Sequence, residues 1–495
     1  MISDARKLER VLLVYPPVVN SAISNNILEL PLGIASLAAF VRDKVEVQCL
    51  DAAEQGYRNV ETVGKGLVRF GLSVDDILKR VEEARPDLVG FSCLFSSQFP
   101  VIRELVERVK RLDPGIVTVA GGTHPSFLAE TCMRTSRLDY IVLGEGELAF
   151  SRLIDALRKG ESVEKIPGLA FRDAGQIRVN RPVDYIADLD RLPFPARDLF
   201  RVEEYFKINV PMQSLSRSRR NLAVATSRGC PFQCQFCSST IHWGNGYRPR
   251  SAENVLRELE ELKSKYGVRD IKFEDDNLTS DKQRARSLFQ GMIDRKLGLK
   301  WNTPNGIAVW TLDEEMLRLM RDSGCYEITV AVESGDPWVL KNLIKKPVNL
   351  EKTRAVVKLI KQLGIGTSGY FIIGFPGETR EQIMKTVNYA KNLELDRCYI
   401  FAYTPLPGTP LAKLAMDQGR LPKDYDFESA ENYFLPRLHL SEVPPEELLK
   451  IHRRAFWSIN LALLYKHPVR FLKKYGASLY FHPEYVLKFF RSLSQ

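Results

Sequence analysis

Ser227-Arg228-Gly229-Cys230-Pro231-Phe232-Gln233-Cys234-Gln235-Phe236-Cys237-Ser238 follows directly on the apolar run 222–226. It places Cys230, Cys234 and Cys237 in the spacing C-x3-C-x2-C, and Gly229 and Pro231 stop the preceding strand from continuing. Three thiolates that close together converge on one metal centre. Zinc in a structural site takes four protein ligands, and His242 offers a fourth. A [4Fe–4S] cluster is served by three, with one iron left open for a substrate-like molecule. Both readings stand at this point.

Downstream, the chain alternates β-branched runs with amphipathic stretches. Strands are expected at 222–226, 270–274, 306–309, 327–332, 367–373 and 398–403, and helices at 252–266, 280–295, 313–323, 349–363 and 380–392. Such strand–helix units build a partial or complete β/α barrel, with ligands at the carboxyl ends of its strands. Upstream, strands at 11–15, 45–50, 88–92, 116–120 and 140–143 alternate with helices at 32–43, 73–83, 101–112 and 125–135. That order predicts a doubly wound parallel sheet. Its ligand-facing segments are 16–26, 51–56, 92–99, 121–124 and 144–147, and the pairs Gly121-Gly122 and Gly144-Glu145-Gly146-Glu147 let backbone approach a ligand closely. Residues 161–215 read as a connector, with a small hairpin at 168–179 and a break at Leu192-Pro193-Phe194-Pro195. Residues 411–495 read as helical.

The cysteine loop after a first barrel strand resembles the hallmark of radical S-adenosylmethionine (radical SAM) enzymes. Further segments fall in the matching order: Phe273-Glu274-Asp275-Asp276-Asn277-Leu278-Thr279, Val332-Glu333-Ser334-Gly335, Phe371-Ile372-Ile373-Gly374-Phe375-Pro376-Gly377-Glu378-Thr379 and Thr404-Pro405-Leu406-Pro407-Gly408-Thr409-Pro410. The resemblance implies a [4Fe–4S] cluster on Cys230, Cys234 and Cys237 and a S-adenosylmethionine bound at its open iron. It also implies cleavage to a 5′-deoxyadenosyl radical that abstracts hydrogen from an unactivated carbon. By the same resemblance, Phe236, Glu333, Ser334 and Gly374 contact S-adenosylmethionine, and a flavodoxin or ferredoxin supplies the electron. Taken singly, Asp275 and Asp276 also read as a helix cap, and 374–377 as a plain strand-to-helix turn.

A Rossmann-like sheet ahead of such a barrel resembles the cobalamin-dependent branch of the family. Asp51, Ser92, Gly121, Gly122, Glu145 and Gly146 are the implied cobalamin contacts, with residues 92–99 covering the lower face of the corrin. The branch's better-known domains carry Asp-x-His-x-x-Gly; here Asp51-Ala52-Ala53-Glu54-Gln55-Gly56 puts Ala53 where the histidine stands. A cobalamin bound without a protein histidine on cobalt is the expectation, and His124 reads as a loop or cap histidine rather than a cobalt ligand. The expected domains are 1–160 for cobalamin, 161–215 as connector, 216–410 for the radical SAM barrel and 411–495 as a helical region. The implied reaction is C-methylation through methylcobalamin; the alternative is an oxidative cyclase like the anaerobic magnesium-porphyrin ring cyclase.

Composition bounds the rest. The 495 residues are 44% hydrophobic and 27% charged, a globular balance, and no apolar run reaches the ~20 residues of a spanning helix. Residues 1–10 lack the apolar core of a secretion signal, so a cytoplasmic protein is expected. Cys49, Cys93, Cys132, Cys325 and Cys398 are scattered, as core thiols of a reducing compartment are. The net charge is +10, and residues 451–495 hold eight Lys and Arg against Glu484 alone, together with ten aromatics. That basic aromatic tail fits a hydrophobic substrate, lipid-like or tetrapyrrole-like, or peripheral contact with the inner face of a membrane. Nucleic acid fits the charge alone and is not the expected partner. Because the motifs end near Pro410, residues 451–495 are expected to be dispensable for the radical machinery.

Overall fold

The computed structural model describes residues 8–22, 26–64, 66–181, 185–210, 216–244, 246–429, 438–466 and 468–469. By contact the chain divides into two units. One is Met1–Val210 with Ile241–Gly244 and Asp426–Phe434; the other is Pro211–Thr240 with Asn245–Tyr425 and Leu435–Gln495.

The first unit carries β1 (Arg10–Tyr15), β2 (Val18–Ser21), β3 (Glu46–Asp51), β4 (Val60–Gly64), β5 (Leu67–Phe70), β6 (Leu88–Ser92), β7 (Val117–Gly121), β8 (Tyr140–Val142), β9 (Leu169–Asp173) and β10 (Gln176–Asn180). Seven of these form one sheet in the order β10-β9-β8-β7-β6-β1-β3. Its five parallel members run 2-1-3-4-5, so the order reverses between β1 and β6. The apolar run of each strand is buried on both faces. Leu12 and Val14 join one core cluster and Val11 and Leu13 the other, as a sheet covered by helices on both sides requires. The hairpin expected within the connector forms, but it extends this sheet: β9 pairs antiparallel with β8. Sequence reasoning missed the three-stranded antiparallel sheet β2-β5-β4. Its strand β4, Val60-Glu61-Thr62-Val63-Gly64, is exposed along nearly its whole length and carries no one-sided apolar pattern.

The second unit carries the short antiparallel pair β12 (Ser227–Arg228) and β13 (Arg248–Pro249), and a six-stranded parallel sheet in chain order. Its strands are β11 (Asn221–Val224), β14 (Asp270–Phe273), β15 (Lys300–Ile307), β16 (Cys325–Glu333), β17 (Gly366–Ile373) and β18 (Arg397–Ala402). Consecutive order without a switch makes a partial barrel. Ser251, Asp281, Asp313, Asn349, Thr379 and Thr409 each accept a backbone N–H at the start of the helix that follows, worth about 1 kcal/mol apiece. The third strand begins at Lys300, six residues before the expected start. Asn302, Pro304 and Asn305 disguise it, and the pairing with β16 slips between Thr303 and Ile307, around the proline that cannot donate.

Residues 451–466 are not a separable tail. The helix Pro445–Lys466 lays Leu448, Ile451 and Ala455 on Ile373, Ile383 and Val387, and His452 Nε2 meets the Ile400 carbonyl oxygen at 2.7 Å. Phe456, Trp457, Leu461, Leu464 and Tyr465 of the same helix are exposed. The aromatic and basic positions from 470 onward lie outside the described residues.

Candidate functional site

In the partial barrel, the cysteine loop is anchored from below. Asp275, 2% exposed at the end of β14, accepts the Thr226 backbone N–H at 3.2 Å, the Thr226 hydroxyl at 2.7 Å and the Ser227 hydroxyl. Asp276 accepts from the Ser239 hydroxyl, whose backbone N–H points at the Cys237 sulfur at 3.4 Å. The two aspartates thus tie strand, loop and first following turn together. Burial pushes the Cys230 thiol up to about 11, Cys237 up to about 12 and Cys234 upward. All eight cysteines are free thiols. Among the described residues no three His, Cys, Asp or Glu side chains come close enough to hold one metal ion. Zinc requires that convergence. A cubane does not, because each thiolate binds a different iron, so the loop fits the cluster.

Sequence reasoning missed Lys346. Its Nζ lies 2.7 Å from Glu333 Oε1, with both side chains about nine-tenths buried. Burial works against the lysine charge, but Glu333 and the thiols of Cys234 and Cys237 outweigh it and raise the Lys346 pKa. A buried cation beside the cysteine loop offsets the negative charge a thiolate-bound cluster carries. Nothing in Lys345-Lys346-Pro347 marks this lysine from the other 70 Lys and Arg residues. Glu333 itself sits at φ 68°, a left-handed conformation that turns its carboxylate toward the lysine at a cost of about 1 kcal/mol.

The remaining expected S-adenosylmethionine contacts are placed differently from one another. Phe236 packs tilted against Phe375, ring centroids 6.0 Å apart. Ser334 is fully buried; its hydroxyl meets Thr386 Oγ1 at 3.1 Å and accepts the Asp336 N–H, so it is committed to the fold. Gly374 sits at φ 86°, a conformation that favours glycine, and a Cβ there would press on the tip of Leu448, 2.6 Å from its Cδ2. The N–H groups of Gly374 and Phe375 both donate to Glu378, whose burial pushes its carboxyl up to about 8.

In the first unit, the reversal between β1 and β6 brings the loop after Ser92 to the ligand-binding crevice of the sheet. Gln98 Oε1 accepts the N–H groups of Leu94 and Phe95, each at 3.0 Å, and this pins the loop with both apolar side chains more than 40% exposed. Gly122, at φ 105°, passes so close to Cys93 that a Cβ would lie 2.6 Å from its carbonyl oxygen. Ser126 links the two glycine loops, donating to the Gly122 carbonyl at 2.7 Å and accepting the Gly144 N–H at 2.9 Å. Gly121 and Gly146 make ordinary contacts, and Gly146 opens the helix Gly146–Lys159. These features place bare backbone and an exposed apolar loop at the carboxyl ends of the parallel strands, where sheets of this topology bind ligands.

Asp51 and Glu145 face inward instead. Asp51 is 2% exposed, accepts the Tyr205 hydroxyl at 2.5 Å and the Glu54 N–H at 3.0 Å, and burial raises its carboxyl to about 7. Glu145 accepts the Ile186 N–H. His124 is buried against Phe99, with Nδ1 2.9 Å from Ser96 Oγ and Nε2 3.8 Å from Glu428, which Arg103 also pairs. It lies in the first turn of the short helix Thr123–Phe127. His242 stacks edge-on with Phe127 and Trp243.

The family model "B12 binding domain" matches residues 28–154 and "Radical SAM superfamily" matches residues 224–390. Cytidylyl-2-hydroxyethylphosphonate methyltransferase of Streptomyces wedmorensis is 34% identical over 446 residues, 84% of this chain and 83% of its own. The chain belongs to the cobalamin-dependent radical SAM methyltransferases. The anaerobic magnesium-protoporphyrin IX monomethyl ester cyclase of Rubrivivax gelatinosus is also related, 28% identical over 76% of this chain and 66% of its own. The same fold is seen in the radical S-adenosylmethionine methyltransferase TsrM from Kitasatospora setae, with a TM-score of 0.69 at 19% identity over 91% of this chain and 89% of that one. Membership of this family makes the protein an enzyme whose cofactors are cobalamin, S-adenosylmethionine and a [4Fe–4S] cluster. It needs a reductant and acts on a small molecule. No helix among the described residues is long and apolar enough to cross a membrane.

Proposed function

We propose that this enzyme methylates an unactivated carbon of a hydrophobic small molecule. When bound, the cluster and S-adenosylmethionine supply hydrogen abstraction, and cobalamin supplies the methyl group. Cys230, Cys234 and Cys237 hold the cluster, and Asp275 fixes the base of their loop. Glu333, oriented by Lys346, and Phe236 bind S-adenosylmethionine. Ser92, the apolar loop at Leu94 and Phe95, and the glycine loops at 121–122 and 144–146 hold the corrin. A flavodoxin or ferredoxin is the reductant in this reading, and the exposed apolar face of the helix Pro445–Lys466 gives peripheral contact with the inner face of a membrane.

The observation that carries methyl transfer is the presence of both cofactor modules in one chain aligned with a methyltransferase over 84% of its length. The test is turnover with S-adenosylmethionine deuterated at its methyl group. The expected product carries the label, with S-adenosylhomocysteine and 5′-deoxyadenosine formed in comparable amounts. The cyclase relative favours the second reading, radical oxidation without methyl transfer. Product of unchanged carbon count, formed without S-adenosylhomocysteine, would decide for it.

A further inference from the structure

Within the partial barrel, strand alternation sorts β17 and β18 into two faces. Ile373 on the outer face belongs to the cluster beneath the helix Pro445–Lys466, and Ile400 packs against it. The inner face therefore carries Tyr370 and Ile372 of β17 opposite Tyr399 and Phe401 of β18, in direct register. At its lower end this face is closed by a buried ion pair, Arg397 with Glu327 at 3.1 Å, which Ser368 supports. Above it the rings become progressively open, and Phe401 is 40% exposed.

The three rings are arranged as a corner. Tyr399 and Phe401 are nearly parallel, 8° apart with centroids 6.3 Å apart along the strand. Tyr370 meets both at about 60°, with centroids 5.7 and 5.8 Å away. Its hydroxyl donates to the Pro304 carbonyl, which fixes the ring. Beside Tyr370 the neighbouring strands carry only Gly306 and Ala331; a Cβ on Gly306 would stand 3.1 Å from the Ala331 methyl and 3.6 Å from the Tyr370 ring. Small residues on β15 and β16 thus stand beside the large rings on β17 and β18. An aliphatic guest is served equally well by leucine. Faces on one side and an edge on the other match the quadrupole of a flat π-system. The wall is continuous with the proposed cofactor site, since β17 runs directly into Gly374 and β16 ends at Glu333.

We propose that Tyr370, Tyr399 and Phe401 are the recognition wall for a planar aromatic or heteroaromatic ring of the substrate. The proposal rests on the functional reading above and deepens it by naming a substrate class and the residues that select it.

The experiment uses reconstituted holoenzyme under anaerobic conditions and equilibrium binding of four probes. Cytidine 5′-monophosphate, L-tryptophan and protoporphyrin IX carry a nucleobase, an indole and a tetrapyrrole; cyclohexanecarboxylate is the saturated control. At least one ring probe is expected to bind where the control does not, and which one binds identifies the source of the ring. Phe401→Ala and Phe401→Leu should each weaken that probe by about tenfold or more, the loss typical of one stacking partner, while Phe401→Trp retains it. Affinity for S-adenosylmethionine, measured on the same preparations, should stay within about twofold by the same reasoning and shows that the barrel is intact. Equal binding of ring and saturated probes, or a Phe401→Leu enzyme that binds like the wild type, overturns the proposal. A parallel loss of S-adenosylmethionine affinity assigns the rings to the cofactor and also overturns it. Ring binding that depends on Phe401, in an enzyme that transfers no labelled methyl group, refutes the methylation reading and leaves this one standing.

Discussion

Replacing Lys346 by methionine removes a charge while keeping the length of the side chain, and so isolates what the ion pair with Glu333 does. The two charges lie 2.7 Å apart with side chains 10 and 8% exposed. At an effective dielectric of about 20 their attraction is about 6 kcal/mol, most of it offset by desolvation. The informative quantity is the cost of leaving one partner behind, about 3–5 kcal/mol for a buried pair. Lys346→Met and Glu333→Gln should each lower the stability of the barrel by that order, because each strands the other group. The double variant, which leaves neither charge, should recover at least about 2 kcal/mol relative to the sum. Hydrogen exchange of the β16 and β17 amides in the apoprotein reads the local stability. Titration with S-adenosylmethionine reads the site: Lys346→Met should weaken binding about tenfold or more, since a carboxylate that loses its partner no longer holds its orientation. Additivity of the two single variants within about 0.5 kcal/mol would refute the pairing. Full S-adenosylmethionine affinity in Glu333→Gln would place the carboxylate outside the cofactor site.

Alanine at Cys230, Cys234 or Cys237 should abolish the ~4 irons per chain and all S-adenosylmethionine cleavage, read by iron analysis and by 5′-deoxyadenosine release; retention of the iron would sink the cluster assignment. Asp51 is neutral in the folded state up to a pKa of about 7, against 3.8 for an ordinary carboxyl, because of its burial. Its contribution to stability is present below pH ~4 and lost as pH rises through ~7, up to about 4 kcal/mol over that window. Asp51→Asn, which keeps an acceptor for Tyr205, should flatten that part of the stability–pH curve, and an unchanged curve would show that the carboxyl is not buried neutral. Truncation after residue 450 should cost cluster content as well as turnover, since it removes Ile451 and Ala455 from the cluster against Ile373 and Val387. Undiminished iron in that truncation would restore the tail as a separable module.

The elements legible in the sequence are those whose burial is periodic. Leu88–Ser92 and the helices Ala252–Tyr266 and Arg380–Asn392 fall where the pattern places them, because each has an apolar face or run bounded by Pro, Gly or a capping side chain. The pattern fails on β15, where Asn302, Pro304 and Asn305 interrupt the apolar run although the strand is largely buried, and on β4, which is exposed along nearly its whole length. At the site, the three cysteines are legible because thiol spacing is itself a geometric statement. Ser334 and Gly374 are where the motif puts them, and each also has a neighbour within the fold, Thr386 for the serine and Leu448 for the glycine. Lys346 and Tyr205 were illegible. Each acts on a residue far away in sequence, Tyr205 on Asp51 154 positions earlier, and only folding joins them.

That last pair bears on the position where the chain has Ala53. Where the pattern Asp-x-His-x-x-Gly has a histidine, Ala53 has no ligand atom, and the Asp51 carboxyl is occupied by the Tyr205 hydroxyl. Tyr205, from the helix Val202–Ile208, is thus the hydrogen-bond partner of Asp51 in this chain. Ala53 and Ala52 are both fully buried at the start of the short helix Ala52–Gln55, so an imidazole at 53 meets packed neighbours as well as an Asp51 carboxyl that is already engaged. Ala53→His alone should accordingly fail to create a cobalt ligand. The Co(II) spectrum of the variant should lack nitrogen superhyperfine splitting from a protein imidazole, as the wild-type spectrum should. Resolved splitting in the variant would show that the space below the corrin is preformed for a histidine, and that Tyr205 merely fills a vacancy.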